Sequence, residues 1–184
     1  RNFMTEIDVR ILDFIREKLS NGFFDFAMPK LTAVGNIGLI WIFIAAAMVI
    51  SRKYRRSGIE LAAGLAGCAL IGNLLLKNLV ARQRPCWINE TVELLIAVPK
   101  DYSFPSGHTM TAFAAAAIIL HANKRLGIAA YILAAVIAFS RLYLYVHFPT
   151  DVLAGAVIGT LIGIAVCFFS KKFFPPKDLQ NTDK

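Results

Sequence analysis

Two histidines, a carboxylate, three bases and a glycine-containing turn fall into three short clusters of a largely apolar chain. The first is Lys77, six residues, then Arg84-Pro85. The second is Pro105-Ser106-Gly107-His108. The third is Ser140-Arg141, five residues, His147, three residues, Asp151. Cations and helix-start N–H groups suit an anion, and imidazoles suit proton transfer or nucleophilic attack. Charged groups near a membrane core are costly and usually functional. The inventory suits holding a phosphate and transferring it to a histidine.

Lys77 and Arg84 are seven residues apart, close to two helical turns, so both face one way while the helix persists. Pro85 biases Arg84 away from helical geometry. Arg82 points elsewhere and is the poorer candidate. Arginine supplies a planar fork for paired oxygens and lysine a point charge. Pro105-Ser106-Gly107-His108 opens a helix whose free N–H groups favour an anion. Ser106 adds a hydroxyl, Gly107 allows close backbone approach, and His108 is placed to protonate a leaving oxygen. His147 and Asp151 are four apart and share a face in a helical turn, although Pro149 interrupts the local path. A carboxylate on one imidazole nitrogen leaves the other as nucleophile, and Arg141 precedes them as a further phosphate ligand.

Each cluster also has a plain structural reading. Lys77 and Arg84 can be bases snorkelling at a span end. The second cluster can be a capped turn with an incidental histidine. The third can be an interfacial histidine beside a capping aspartate. Together these readings need three unrelated coincidences on one side of a membrane.

The elements that must position the clusters follow from hydropathy. The 184 residues suffice for one domain, and 57% are hydrophobic. Mean hydropathy is +0.59, which indicates an integral membrane protein. The net charge of +8 reads as positive loops flanking spans. No long basic tract or RNA-binding signature points to nucleic acid. Cys68, Cys86 and Cys167 have no metal-like spacing. Residues 3–20 place Phe3, Ile7, Ile11, Ile15 and Leu19 on one helical stripe among charges. Both an interfacial helix and a helix packed on the body fit that pattern. The first twenty residues carry charges throughout and show no signal peptide.

Spans are predicted at about 31–50, 58–80, 106–121, 126–146 and 150–170. Gly64, Gly67 and Gly72 permit close helix contact in the second. The expected class is all-α: a polytopic membrane helix bundle of about five transmembrane helices plus an N-terminal amphipathic interfacial helix. Alternating direction puts all three clusters at one end. Arg52, Lys53, Arg55, Arg56, Lys124, Arg125, Lys171 and Lys172 flank the other end. Short-loop bases prefer the cytoplasm, so the clusters are expected outside it. His121 falls at the far end and reads as interfacial.

The fixed positions of the three clusters match, in order, the signature motifs of the type 2 phosphatidic acid phosphatase superfamily, which the chain resembles over about 31–170. The resemblance implies a metal-independent phosphatase needing no cofactor. It implies His147 as nucleophile, Asp151 as its partner and His108 as general acid. It implies Lys77, Arg84, Ser106, Gly107 and Arg141 as phosphate ligands. One membrane-embedded phosphatase domain over 1–184 is expected, with an amphipathic helix at 1–22, a transmembrane core at 31–170 and a flexible tail at 173–184. Many membrane members have six spans; here a charged amphipathic helix stands in place of the first. The form resembles bacterial undecaprenyl-diphosphate phosphatases of the cell envelope, in the plasma or inner membrane. A phosphorylated membrane lipid is then the substrate and the bilayer the only other partner implied. Phosphatidylglycerol phosphate and phosphatidic acid are the alternative substrates. An anion transporter is the alternative of another class, although transport needs charge and no nucleophile with its orienting carboxylate.

Overall fold

A computed structural model describes residues 3–35, 38–173 and 175. Among these every regular element is helical. Helix α1 spans Phe3–Leu19, α2 Gly22–Val34, α3 Leu39–Ile50 and α4 Arg55–Cys68. A π-helical stretch, Ala69–Leu76, continues α4 into α5, Lys77–Val80. Helix α6 spans Pro85–Ile88, α7 Gly107–Ala122, α8 Lys124–Tyr143 and α9 Pro149–Phe173. The tail expected at 173–184 lies, beyond Phe173 and Pro175, outside the described residues.

Helix α7 is the centre of the bundle, packed against α4, α8 and α9. It is apolar all round, which marks a buried helix, and Ala112, Ala114, Ala115, Ala116 and Ala117 are all buried. Gly155, Gly159 and Gly163 form one stripe of α9 against the α7 backbone. A Cβ on Gly159 would stand 2.1 Å from the Met110 carbonyl oxygen. Only a bare backbone allows α9 so close. Along α4 and its π-helical continuation the expected close contacts are present: Gly64 meets Ile118, Gly67 meets Ile162 and Gly72 meets Met110. The outer faces keep Phe43, Leu79, Leu153, Leu161 and Phe168 exposed, as a surface solvated by lipid requires.

Among the described residues, three helical runs are long and apolar enough to cross a membrane: Arg55–Ile88, Lys124–Tyr143 and Pro149–Phe173. The span expected at 31–50 is instead a pair, α2 and α3, bent by 46°. The cause is local. Asn21 caps α2 by accepting from the N–H groups of Phe23 and Phe24, so that helix starts earlier. Gly38, at φ +71°, sits in a left-handed conformation that a helix cannot continue through. The apolar α7 has 16 residues, about 24 Å.

The N-terminal helix is amphipathic and docks by one edge. Its inward face is Asp8, Leu12 and Ile15, whereas Ile7, Ile11 and Phe14 point outward. The Phe3 side chain lies outside the described part. The buried Asp8 carboxylate accepts from Arg82 and Thr150, and this turns the helix away from the isoleucine stripe. Helix α1 therefore packs on α8 and α9 and still exposes an apolar edge.

Candidate active site

Each cluster sits where an element starts or stops. Helix α5 ends at Ala81, which takes φ +46°, and the chain turns extended at Arg84. Pro85 then opens α6, where its missing N–H costs nothing. Ser106 stands just before α7, its hydroxyl accepting from the Thr109 hydroxyl at 3.0 Å, which leaves Gly107 and His108 in the first turn. Helix α8 stops at Tyr143, and Leu144–Phe148 lead to Pro149, which opens α9. Backbone bonds stitch these ends together. Ser103 N–H donates to the Arg82 carbonyl at 2.8 Å, and Ser106 N–H donates to the Asp151 carbonyl at 3.1 Å.

All eight residues singled out from the sequence meet at this end. Lys77, Arg84, Ser106, Arg141, His147 and Asp151 are buried, and Gly107 and His108 are half-buried. The Lys77 ammonium and the Arg84 guanidinium, through Nη2 at 2.8 Å, both donate to the Asp101 carboxylate. Arg84 Nε also donates to the Asp101 carbonyl at 2.7 Å. Arg84 Nη1 donates to the Val146 carbonyl at 2.7 Å and lies 3.0 Å from His147 Nε2. A guanidinium only donates. Nε2 therefore accepts, and the ring proton belongs on Nδ1. Burial, then the charges of Arg84, Arg141, Lys77 and His108, push the His147 imidazole well below its ordinary value, so the ring stays neutral.

His147 Nδ1 faces two groups. Asp151 Oδ2 lies 3.8 Å away, and the Ser103 hydroxyl lies closer, at 3.4 Å. Ser103 donates to Asp151 Oδ2 at 2.5 Å, and Phe148 N–H donates to the same oxygen at 3.0 Å. Arg82 Nη1 donates to Asp151 Oδ1 at 2.6 Å. Its Nη2 donates to Asp8 at 2.8 Å, and the guanidinium lies over the Phe148 ring at 4.1 Å. Arg82 does point away from the Lys77–Arg84 pair, and its target is the carboxylate behind the histidine. Arg141 donates through Nη1 to Thr32, while its buried Nε has no hydrogen-bond partner among the described residues. A buried donor left unpaired costs roughly 1–3 kcal/mol, which an arriving oxygen would relieve.

Asp101, Ser103 and Asp8 were not marked in the sequence. Asp101 is an ordinary loop acid until the fold carries it to Lys77 and Arg84. Burial would raise its carboxyl, but the Lys77 ammonium and Arg84 outweigh this and hold it at about 2. It is an anion at every working pH, bridging the two bases assigned to phosphate. Below this cradle runs a cavity of about 840 Å³. Its mouth is polar, with Lys77, Asp101, His108 and Asn73, and its body is lined by Ile42, Ala46, Val49, Ala62 and Leu65. The arrangement offers cations to an anion at one end and an apolar wall along the rest.

The family model described as the PAP2 superfamily matches residues 57–174. An undecaprenyl-diphosphatase of Sulfolobus acidocaldarius is 33% identical over 124 residues, covering 67% of this chain and 60% of that protein. The undecaprenyl-diphosphatase BcrC of Bacillus subtilis is 35% identical over 141 residues, covering 76% of this chain and 68% of that one. The crystal structure of a transmembrane PAP2-type phosphatidylglycerolphosphate phosphatase from Bacillus subtilis superposes with a TM-score of 0.76 at 28% identity, covering 94% of this chain and 88% of that one.

Proposed function

The chain belongs to the PAP2 superfamily, and from that premise we propose that it is a membrane lipid phosphatase that removes the terminal phosphate of a polyprenyl diphosphate through a phosphohistidine. The observation that carries this reading is the Asp101 carboxylate, held by Lys77 and Arg84 beside His147 at the head of an apolar cavity.

The substrate's terminal phosphate displaces that carboxylate and takes Lys77, Arg84, Arg141 and the α7 N–H groups as ligands. His147 Nε2 attacks phosphorus in line, forming the P–N bond as the bond to the bridging oxygen breaks. His108 gives its proton to the departing oxygen. It then takes one from water, which attacks phosphorus, breaks the P–N bond and releases inorganic phosphate. The fixed cations stabilise charge on the transferring group, a preorganised effect that is often the largest in such reactions. They fill the role a divalent metal fills elsewhere, so turnover survives EDTA.

The names of the sequence relatives favour a polyprenyl diphosphate. Phosphatidylglycerol phosphate is the second reading, favoured by the structural neighbour. The active site faces the extracytoplasmic side of the cell membrane. In support, Asn123 bonds Tyr54 and Arg56 bonds Ser170, which gathers the basic loops at the opposite end. A cysteine placed at Ser57 and labelled from outside would reverse that orientation. The deciding assay is phosphate release by the purified protein from undecaprenyl diphosphate, phosphatidylglycerol phosphate and phosphatidic acid. Preference for the first, with an acid-labile phosphohistidine trapped on the wild type and missing from His147→Ala, supports the proposal. Full turnover by His147→Ala ends it.

A further inference from the structure

The orienting carboxylate does not touch the nucleophile. Asp151 Oδ2 stands 3.8 Å from His147 Nδ1, beyond hydrogen-bond range. Both oxygens of Asp151 are already occupied, Oδ1 by Arg82 and Oδ2 by Ser103 and Phe148 N–H. The Ser103 hydroxyl reaches both the carboxylate, at 2.5 Å, and the ring, at 3.4 Å.

We infer that Ser103 is a positioning residue that couples His147 to Asp151, and that Arg82, clamped in turn by Asp8 of the N-terminal helix, fixes Asp151 for that task. The inference rests on the phosphatase reading and adds residues to it. The donor logic is closed. A carboxylate only accepts, so Ser103 O–H donates to Asp151, and its remaining lone pairs face the ring. The Nδ1–H then donates to Ser103, which keeps Nε2 unprotonated toward the phosphate. Attack by Nε2 makes the ring cationic, and the Ser103–Asp151 pair stabilises that charge without any proton leaving Nδ1. The geometry is set before substrate arrives. Ser103 is fully buried, its N–H is held by the Arg82 carbonyl, and Asp8 also accepts from Thr150 N–H at 3.1 Å and from its hydroxyl at 2.6 Å. Arg82 thus braces the carboxylate from one side while its own backbone braces the serine.

The test is steady-state and single-turnover kinetics of Ser103→Ala, Ser103→Thr and Arg82→Ala in detergent, on whichever of the three lipids the wild type hydrolyses, with unfolding temperatures alongside. Ser103→Ala is expected to lose about 10-fold or more in kcat, with KM within about twofold because Ser103 does not face the phosphate cradle. Its phosphohistidine should form slowly. Ser103→Thr should recover most of the rate, because it restores the hydroxyl. Arg82→Ala should show the same split. Wild-type kcat in Ser103→Ala overturns the inference. So does a Ser103→Thr no better than alanine, or a loss in which kcat, KM and unfolding temperature all shift together. A wild type that releases no phosphate from any of the three lipids overturns the functional reading and this inference with it. An active wild type beside an unaffected Ser103→Ala overturns the inference alone.

Discussion

The two ends of the bundle bury charge for different reasons. At the far end a single acid is buried among the described residues, Glu60 on α4. It pairs with Arg56 at 3.0 Å, one turn away, and Arg56 reaches Ser170 of α9 at 3.1 Å. That cluster is complete in itself and ties two helices together. At the other end Lys77, Arg82, Arg84 and Arg141 are gathered around Asp8, Asp101 and Asp151, so positive charge is in excess. One of the acids, Asp101, sits half in solvent, and the Arg141 Nε has no partner among the described residues. Buried charge that is fully paired serves stability, whereas buried charge left one anion short is prepared for a ligand.

The largest expected effect comes from the nucleophile. His147→Ala should cut phosphate release by roughly 10³-fold or more, read as single-turnover hydrolysis. Residual activity near wild type would place the reaction on another residue and break the contrast. Removing a cradle cation comes next. Arg84→Ala or Arg141→Ala should lower kcat/KM by about 10²-fold, the usual scale for one electrostatic contact to a transition state. Asp101→Asn should move the other way on binding. With no internal anion to displace, inhibition by inorganic phosphate should tighten by up to about 10-fold, or about 1.4 kcal/mol, measured as Ki. Weaker inhibition would mean that Asp101 helps to hold the phosphate. At the far end, Glu60→Gln should lower the unfolding temperature by a few degrees, a loss of about 1–3 kcal/mol, and leave kcat/KM unchanged. The smallest change concerns pH. Protonation of His147 would remove the nucleophile, and burial among cations moves that event below the ordinary imidazole value of about 6.5. NMR of labelled His147 should therefore show a neutral ring as pH falls from about 8 to about 6.

Much of this was legible in the chain because span ends carry strong signals. Pro85, Pro105 and Pro149 mark breaks at the ends of apolar runs, so placing the three clusters at one end needed only alternating helix direction. The break at Gly35–Gly38 was hidden because the apolar run continues through it, and hydropathy does not register a left-handed glycine. The sequence left open how α1 docks, because isoleucines dominate its pattern while a carboxylate, Asp8, joins Leu12 and Ile15 on the buried face. Asp101 and Ser103 carry no local mark. Their positions depend on a loop whose Trp87 indole donates to the Pro99 carbonyl at 3.1 Å, a contact between residues twelve apart that no periodicity reveals.

The cavity wall has a kinetic corollary. Ile42 and Ile50 line it and are exposed. On the lipid-phosphatase reading proposed above, the substrate's apolar chain would enter past them from the leaflet without crossing water. Encounter then takes place in two dimensions, and the effective concentration is the mole fraction of substrate among its neighbours in the sheet. In mixed micelles or vesicles, adding inert lipid at constant total substrate should slow the reaction, while adding buffer should leave its rate per molecule unchanged.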